Sequence, residues 1–317
     1  MTEHTIISAA NKASRAGRMP SWLKRPVAYT GQKTFVETEL ARIGLTTVCA
    51  EAKCPNRGEC YARGTATFLI MGDTCSRGCG FCGVRRGAPR LLDDSEPSRV
   101  CDMVKRLGLR HVVITSVTRD DLPDGGAGHF ARTVNMLRRR LPGCTVEILV
   151  PDFRGNEQSL VTVFKSRPDV FNHNIETVAR LYPAVRPEAS YQRSLGILSR
   201  AAQWRPEMIT KSGIMVGLGE TFAEVLAVLA DVRRAGCSIV TIGQYLQPSS
   251  KQAPVYEFIE PDVFRRYEAV GRSMGFTRII AGPYVRSSYR AREAMDFASE
   301  VETHDRASLQ KQDNING

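Results

Sequence analysis

The sequence predicts an α/β fold, a partial (β/α)6 barrel of the TIM type with N-terminal and C-terminal extensions. Short apolar runs alternate with amphipathic segments along the chain, and the runs lie at residues 66–71, 111–117, 145–150, 170–174, 213–217 and 239–246. Continuous apolar runs are typical of parallel strands that are buried on both faces. Six strand-then-helix units favour right-handed crossovers, and this count fits a partial barrel better than a complete barrel of eight units. A doubly wound open sheet is the main alternative.

Four of the intervening segments carry helix signals. Apolar residues at helical spacing fill residues 100–107 and end at a glycine, which suits the C′ position of a helix. Residues 130–141 have the same spacing. Thr221 and Glu224 form a capping-box pattern before a third apolar stretch, and Pro261 suits the first turn of a last helix.

Polar residues come directly after each predicted strand. These polar segments are residues 75–82, 118–121, 151–153, 172–177, 217–221 and 244–248. Barrel enzymes build their active sites from the loops at the carboxyl ends of the strands. We therefore expect one mouth of the barrel to collect these side chains.

The chain divides into three predicted parts. These are an N-terminal extension (1–62), the barrel (63–282) and a C-terminal extension (283–317) that ends in a polar tail, and the length fits one large domain. Residues 4–36 contain no acidic side chain, as in organellar transit peptides. Residues 20–26 are nevertheless predicted to be an arm of the mature protein that docks on the domain, so the cytoplasm is the expected location.

Three cysteines with the spacing C-x3-C-x2-C form a downstream triplet, Cys75, Cys79 and Cys82. Thiolates select iron–sulfur clusters or zinc, but zinc sites usually have four ligands from paired Cys or Cys/His sets. Three thiolates can hold three irons of a [4Fe–4S] cluster and leave the fourth iron open to an outside molecule, unlike the four-cysteine clusters of electron carriers. The glycines of this loop allow it to wrap a bulky group.

A second, upstream triplet has the spacing C-x4-C-x5-C, at Cys49, Cys54 and Cys60, again without a fourth ligand nearby. The plainer interpretations are structural thiols or a zinc site that a distant residue completes. Buried structural cysteines, however, have no reason to form two triplets within 34 residues. The remaining cysteines are expected to be small core residues, and they are Cys101, Cys144 and Cys237.

The charge balance is basic. Lys plus Arg number 44 and Asp plus Glu number 33, which gives a net charge of +11. A basic surface favours an acidic partner, but no aromatic platform or zinc-knuckle spacing favours nucleic acid. No apolar run approaches the roughly 20 residues of a membrane span. The cysteine spacings fit metal ligation better than disulfides.

Together these motifs resemble the lipoyl synthase family of the radical S-adenosylmethionine (SAM) superfamily. The resemblance runs from about residue 20 to about residue 292 and includes both cysteine triplets in order. It also includes T-S-V-T-R-D-D-L-P-D-G-G-A-G-H-F at 115–130, F-N-H-N-I-E-T at 171–177, M-V-G-L-G-E at 215–220 and R-S-S-Y at 286–289. This ordered set is much more specific than any one fragment, and it implies a partial barrel of the radical SAM kind.

The resemblance implies a different role for each triplet. The downstream triplet would hold the radical SAM [4Fe–4S] cluster, whose open iron SAM chelates through its methionyl amino and carboxylate groups. Reductive cleavage of SAM then yields methionine and a 5′-deoxyadenosyl radical, so the cofactor performs the radical chemistry. The upstream triplet would hold an auxiliary [4Fe–4S] cluster.

The resemblance also implies roles for the R-S-S-Y motif. Its serine ligand to the auxiliary cluster maps to Ser288, with Ser287 as the neighbouring candidate. A serine oxygen suits iron less well than a thiolate does, which makes sense for a cluster that must come apart. Arg286 would be the nearby cation for cluster or substrate. Without the resemblance, both serines would be ordinary turn residues.

The implied SAM contacts lie in two segments. Phe81 stands where the family has an aromatic residue whose backbone can face adenine. Asn172, Asn174 and Glu176 are candidates for contacts to the ribose or the methionyl group. His173 is expected to be a packed, hydrogen-bonded histidine and not a metal ligand.

The implied reaction inserts sulfur at C6 and C8 of an octanoyl chain on a lysine of a carrier protein, with the auxiliary cluster as sulfur donor. The implied substrates are octanoylated lipoyl domains of 2-oxoacid dehydrogenases and the glycine-cleavage H protein, which the family meets through acidic surfaces. The implied electron donor is of the flavodoxin or ferredoxin type. The alternatives are another two-cluster radical SAM enzyme, an iron–sulfur electron carrier and a zinc-dependent nucleic-acid binder.

Overall fold

The fold is described by a computed structural model, which covers residues 17–24, 31–205, 207–289 and 291. The strands are β1 (Thr46–Thr47), β2 (Thr67–Ile70), β3 (Thr74–Cys75), β4 (Arg85–Arg86), β5 (His111–Ser116), β6 (Thr145–Leu149), β7 (Val170–Asn172), β8 (Ile209–Val216), β9 (Ile239–Gln244) and β10 (Arg278–Gly282).

The helices alternate with these strands. They are α1 (Gly31–Arg42), α2 (Val48–Glu51), α3 (Arg57–Ala62), α4 (Glu96–Arg106), α5 (Ala127–Arg140), α6 (Glu157–Lys165), α7 (Tyr182–Val185), α8 (Tyr191–Trp204), α9 (Phe222–Arg234) and α10 (Pro261–Ser273). Among the residues that the structure covers, no helix is both long and apolar enough to cross a bilayer.

The main sheet has eight strands in the order β1-β2-β5-β6-β7-β8-β9-β10. β2 and its six successors are parallel, and β1 pairs with β2 in the antiparallel direction. The strand order follows the chain without a reversal, whereas a doubly wound sheet reverses at a switch point. In the described ranges β1 and β10 do not pair with each other, so the barrel is open. The predicted partial barrel is confirmed, and the doubly wound alternative is wrong.

The six predicted strands correspond to β2 and β5–β9, but β10 was not predicted. Its apolar core is three residues long, too short for a periodicity argument. β8 also begins four residues before the predicted start, because polar residues occupy its first half. One of these is Lys211, which is buried and forms an ion pair of 2.8 Å with Glu147 of β6. Pattern analysis discounts such residues because a lysine is rarely buried without a partner.

All four predicted helices are present, as α4, α5, α9 and α10. Gly108 follows α4 with a φ of +62°, which a glycine adopts without steric cost. The capping box of α9 is complete, since the Thr221 side chain accepts from the Glu224 amide and Glu224 accepts from the Thr221 amide. The two other long crossover helices, α6 and α8, were not predicted. Cys101, Cys144 and Cys237 are buried in the core as expected.

Candidate active site and cysteine centres

The downstream triplet lies in the loop after β2, at the carboxyl edge of the sheet. Cys75 Sγ accepts hydrogen bonds from the backbone amides of Arg77, at 3.4 Å, and of Thr118, at 3.3 Å. Burial raises the pKa of Cys79, and it raises that of Cys82 to about 12. Cys75 adds to the rise in pKa at both positions, and Cys79 adds to it at Cys82, so the three side chains lie close together. Thiols of this kind are not free nucleophiles, but a bound metal deprotonates them.

Glycine allows the downstream loop to pack closely against its surroundings. The Gly80 amide donates to the Val185 carbonyl at 2.8 Å, and the Gly80 carbonyl accepts from the Ala253 amide at 2.8 Å. A Cβ on Gly80 would lie 3.0 Å from the carbonyl oxygen of Ala184. The segments after β7 and β9 therefore hold this loop from two sides, at a distance that a side chain would prevent.

Arg77 fastens the same loop to the two neighbouring strand ends. Its guanidinium donates to Asp120, after β5, at 2.6 and 2.9 Å, and it pairs with Asp152, after β6, at 2.7 Å. Asp152 is fully buried and also accepts from Arg193 of α8 at 2.9 Å. Burial alone would raise the pKa of Asp152, but the hydrogen bonds and charge of Arg77 hold it well below its usual range. The Asp152 carboxylate therefore stays ionised, and its ion pair with Arg77 is maintained.

The upstream triplet lines a separate cavity of about 390 Å³. Cys49 lies in α2, Cys60 in α3 and Cys54 in the turn between them. Burial raises the pKa of the Cys49 thiol to about 11 and that of Cys60 to about 12, and the neighbouring thiols of the triplet contribute at both. Ser288 lines the same cavity, and so does Arg286. The fold thus brings the C-terminal R-S-S-Y motif to the upstream cysteines.

Hydrogen bonds tie the C-terminal segment to the upstream loop at both ends. Asn56 Nδ2 donates to the Tyr284 carbonyl at 2.6 Å, and Tyr289 Oη donates to Glu59 Oε1 at 3.0 Å. Tyr284 Oη donates to the Leu23 carbonyl at 2.5 Å, and Leu23 is buried. The predicted N-terminal arm therefore docks through Leu23, while the rest of that segment (residues 25–26) lies outside the described residues.

The two serines of the R-S-S-Y motif have different surroundings. Ser288 lines the cavity of the upstream triplet. Ser287 Oγ instead donates to Asn174 Oδ1, after β7, at 2.9 Å. Arg286 lies between the two regions, because its charge interacts with Cys54 and with Glu176, and burial lowers its pKa. Of the two serines that the sequence left open, Ser288 is therefore the one with access to the upstream thiols.

The donors of both triplets suit iron–sulfur clusters, because each is a set of three thiols without a fourth cysteine or a histidine nearby in the sequence. In the part of the chain that the structure covers, no three His, Cys, Asp or Glu side chains come close enough to share one metal ion. Ligands of a single zinc ion all lie within about 2.3 Å of it. In an iron–sulfur cluster each thiolate binds a different iron, so the sulfurs stand farther apart. The residues present therefore fit a cluster at each triplet, and the cavity gives the upstream one room.

The predicted SAM contacts at the end of β7 and directly after it have different hydrogen-bond partners. Asn174 Nδ2 donates to Glu176 Oε1 at 3.0 Å, beside the downstream triplet, and burial raises the pKa of Glu176. Asn172 is fully buried and donates to Glu147 at 3.2 Å, and among the residues that the structure describes its Oδ1 has no partner. It therefore faces the interior of the barrel and not the open rim. Phe81 lies half-buried in the cysteine loop.

Two arginines of the site were not predicted from the sequence. Arg77 had a visible signal, since it is the cation inside the C-x3-C spacing. Arg186 had none, because it follows a short helix of ordinary composition. It is buried and donates to the carbonyl oxygens of Asn174 and Ile175, at 3.0 and 3.1 Å, and its charge lowers the pKa of Cys79 against the effect of burial.

Comparison with known proteins identifies relatives over most of the chain. The family profile of the Radical SAM superfamily matches residues 69–232. A lipoyl synthase of Caldanaerobacter subterraneus subsp. tengcongensis is 54% identical over 281 residues, which are 89% of this chain and 98% of the relative. Lipoyl synthases of Rubrobacter xylanophilus and Thermus thermophilus are 51% and 48% identical, over 90% and 86% of this chain and 88% and 85% of their own lengths.

Solved structures share the fold at low identity. HydG, a maturase of the [FeFe]-hydrogenase, has a TM-score of 0.54 at 12% identity and covers 87% of this chain and 65% of its own. Streptococcus suis SuiB bound to S-adenosylmethionine has a TM-score of 0.53 at 10% identity, over 68% of this chain and 49% of its own. At such identities the likeness concerns the fold alone.

Proposed function

Because this chain belongs to the lipoyl synthase family of radical SAM enzymes, we propose that it inserts sulfur at C6 and C8 of a protein-bound octanoyl-lysine. A [4Fe–4S] cluster at the downstream triplet and SAM would supply a carbon-centred radical that removes hydrogen from the unactivated chain, and a second, auxiliary [4Fe–4S] cluster would supply the sulfur. The protein's own residues would hold these groups, orient them and keep competing reactions out.

The observation that carries the proposal is the common cavity of the upstream triplet and Ser288. Three thiol donors and one hydroxyl donor from opposite ends of the chain converge on a space of about 390 Å³. In an electron carrier four cysteines ligate each cluster. A site with three cysteines and a serine therefore favours a cluster that is dismantled during the reaction. Arg286, half-buried and interacting with Cys54, would supply positive charge at this site.

The residues of the carboxyl rim would hold SAM beside the downstream triplet. Asn174 and Glu176 offer an amide and a carboxylate in a buried, hydrogen-bonded pair. Phe81 would border the adenine, and Asn172 would act from within the barrel through its unpartnered oxygen. Arg77 would keep the cysteine loop in place during reduction and cleavage of SAM.

The proposed partners follow from the family and from charge. The substrates would be octanoylated lipoyl domains of 2-oxoacid dehydrogenases and the glycine-cleavage H protein, which would meet the basic surface of this chain, net charge +11, through acidic groups. A flavodoxin or ferredoxin would deliver the electrons, in the cytoplasm. The N-terminal extension (1–62), barrel (63–282) and C-terminal extension (283–317) would act together, since Asn56 donates to Tyr284 and Ser287 donates to Asn174 of the barrel.

The test separates SAM cleavage from sulfur insertion. Anaerobically reconstituted protein is incubated with SAM, a reductant and an octanoyl-lysine peptide, and 5′-deoxyadenosine and dithiolated peptide are both quantified. Cys75→Ala should abolish 5′-deoxyadenosine, because a ligand of the radical SAM cluster is lost. Cys54→Ala and Ser288→Ala should still form 5′-deoxyadenosine, because they alter the auxiliary site, and Cys54→Ala should form no dithiolated product.

Cys101→Ala is the matched control, since Cys101 is a buried core cysteine that belongs to neither triplet. It should retain about eight irons per chain and both activities. If Cys54→Ala still yields dithiolated peptide, the assignment of the sulfur donor is wrong. If the wild-type protein binds about four irons, the two-cluster proposal is wrong.

A further inference from the structure

The C-terminal segment at residues 285–288 passes close to two strands of the barrel, at positions where each strand has a glycine. A Cβ on Gly213 of β8 would lie 2.5 Å from Ser287 Oγ and 2.8 Å from Asn174 Oδ1. A Cβ on Gly243 of β9 would collide with the carbonyl oxygen of Val285. A Cβ on Gly243 would overlap backbone, so that glycine is needed for the segment to lie where it does. A Cβ on Gly213 would instead displace the side-chain oxygens of Ser287 and Asn174.

Ser287 is the side chain that this close approach brings to the SAM side. Its hydroxyl donates to Asn174 Oδ1 at 2.9 Å, and Asn174 Nδ2 donates to Glu176 Oε1 at 3.0 Å. An asparagine amide has an acceptor end and a donor end, and its neighbours decide which way it points. A hydroxyl donor at Oδ1 turns the N–H₂ end toward the Glu176 carboxylate. Without the Ser287 hydroxyl, the Asn174 amide could flip, and its oxygen would then face the Glu176 carboxylate.

Glu176 depends on this support because its backbone is unusual. Its φ is +68°, which is uncommon for a residue with a side chain. Its amide donates to the Gly213 carbonyl at 2.9 Å, and its carbonyl accepts from Met215 at 2.8 Å, so β8 fixes the main chain. The carboxylate itself has the Asn174 amide as its hydrogen-bond donor, with the charges of Arg186 and Arg286 nearby.

We propose that Ser287 is a positioning residue for SAM, which acts by fixing the Asn174 amide so that Asn174 and Glu176 present a single, preformed arrangement. The inference rests on the proposed function, in which this pair contacts SAM. It gives the adjacent serines of R-S-S-Y separate tasks, with Ser288 at the auxiliary site and Ser287 at the SAM site. The same four-residue segment would then serve both centres.

The experiment measures the dissociation constant of SAM for the reconstituted holoenzyme, together with the change that SAM causes in the electron paramagnetic resonance spectrum of the reduced protein. Ser287→Ala should weaken SAM binding about 3- to 10-fold, the effect of one lost hydrogen bond. Gly213→Ala places a methyl group against Ser287 Oγ and Asn174 Oδ1, so it should also weaken SAM binding. Ser273→Ala removes an exposed hydroxyl at the end of α10 and should leave binding unchanged.

A double mutant distinguishes positioning from general destabilisation. If Ser287 acts through Asn174, then Ser287→Ala should have no further effect in an Asn174→Ala background. Multiplying effects, or unchanged SAM affinity in Ser287→Ala, would overturn the inference while the proposed function stands. Wild-type holoenzyme that binds no SAM would overturn the proposed function and this inference with it.

Discussion

His173 lies next to the predicted SAM contacts, yet its ring is closed off from them. It is 1% exposed, and Nδ1 donates to the Val150 carbonyl at 2.9 Å while Nε2 accepts from the Ser194 hydroxyl at 3.0 Å. Burial, with the nearby charge of Arg186, lowers the pKa of His173 to about 4. The ring is therefore neutral and has both nitrogens satisfied, as expected for a packed histidine.

This pKa makes folding stability depend on pH. Above pH 6.5 the ring is neutral in both the folded and the unfolded chain. As the pH falls from 6.5 toward 4, the unfolded chain gains a proton that the folded chain does not, so the free energy of unfolding decreases. Between pH 7.5 and pH 5.5 the loss from this residue should be about 1 kcal/mol.

Urea unfolding of wild-type protein and His173→Gln at these two pH values measures the effect. The variant should be less stable at pH 7.5, because it loses two buried hydrogen bonds. Its further loss on acidification should be about 1 kcal/mol smaller than that of the wild type, since the other titrating groups are common to both. An identical pH dependence would show that His173 is protonated in the folded state.

At the scale of elements, the cysteine loop depends on an ion-pair cluster that joins three strand ends. Arg77 comes from the loop after β2, Asp120 from the loop after β5 and Asp152 from the loop after β6. The Arg77 side chain is 6% exposed. Removing either the guanidinium or its carboxylate partners would therefore leave an unpaired charge that water cannot reach. Removing one partner of such a buried pair costs about 3–5 kcal/mol.

Arg77→Ala should therefore release the downstream loop and lower its cluster occupancy. The expected result is fewer irons per chain, approaching about four, and little 5′-deoxyadenosine, with the upstream cluster retained. Iron and sulfide analysis with Mössbauer spectroscopy measures this. Arg85→Ala is the matched control, because Arg85 forms a mostly exposed pair with Asp73 in the same loop, and such pairs contribute little. Equal losses of iron in both variants would show that the Arg77 ion pairs do not specifically support the downstream loop.

At the scale of the whole molecule, charge distinguishes a carrier protein from a peptide substrate. The net charge of +11 should attract an acidic carrier domain and accelerate encounter, whereas a short octanoyl-lysine peptide offers little charge to attract. Surface electrostatics are screened over about 10 Å at 0.1 M salt.

Raising NaCl from about 50 mM to about 500 mM should lower kcat/KM for an octanoylated carrier domain by about tenfold and leave the peptide reaction within about twofold. Single-turnover assays with both substrates measure this, and the peptide reports any direct effect of salt on the clusters. A parallel decline for both substrates would remove the argument for an acidic partner.

The scale of the feature decided how well the sequence predicted it. Strands with continuous apolar runs were predicted, and so were helices with clear apolar spacing, a capping box or an initial proline, because these signals are local. β8 was predicted too short and β10 was missed, because a buried Lys211 and a three-residue apolar core break the pattern. Arg186 was missed because its importance comes from neighbours that are remote in sequence until the chain folds.

The sequence by itself determined the family and predicted iron–sulfur ligation, because ligand type and spacing are features of short stretches of chain. It also determined the winding of the barrel, since strand and helix periods are local. Only the tertiary structure decided that Ser287 donates to Asn174, and that Arg77 pairs with the buried Asp152 and the partly buried Asp120. The resemblance had assigned Ser288 to the upstream cysteines but gave Ser287 no partner, because its partner Asn174 lies 113 residues away in the sequence and meets it only on folding.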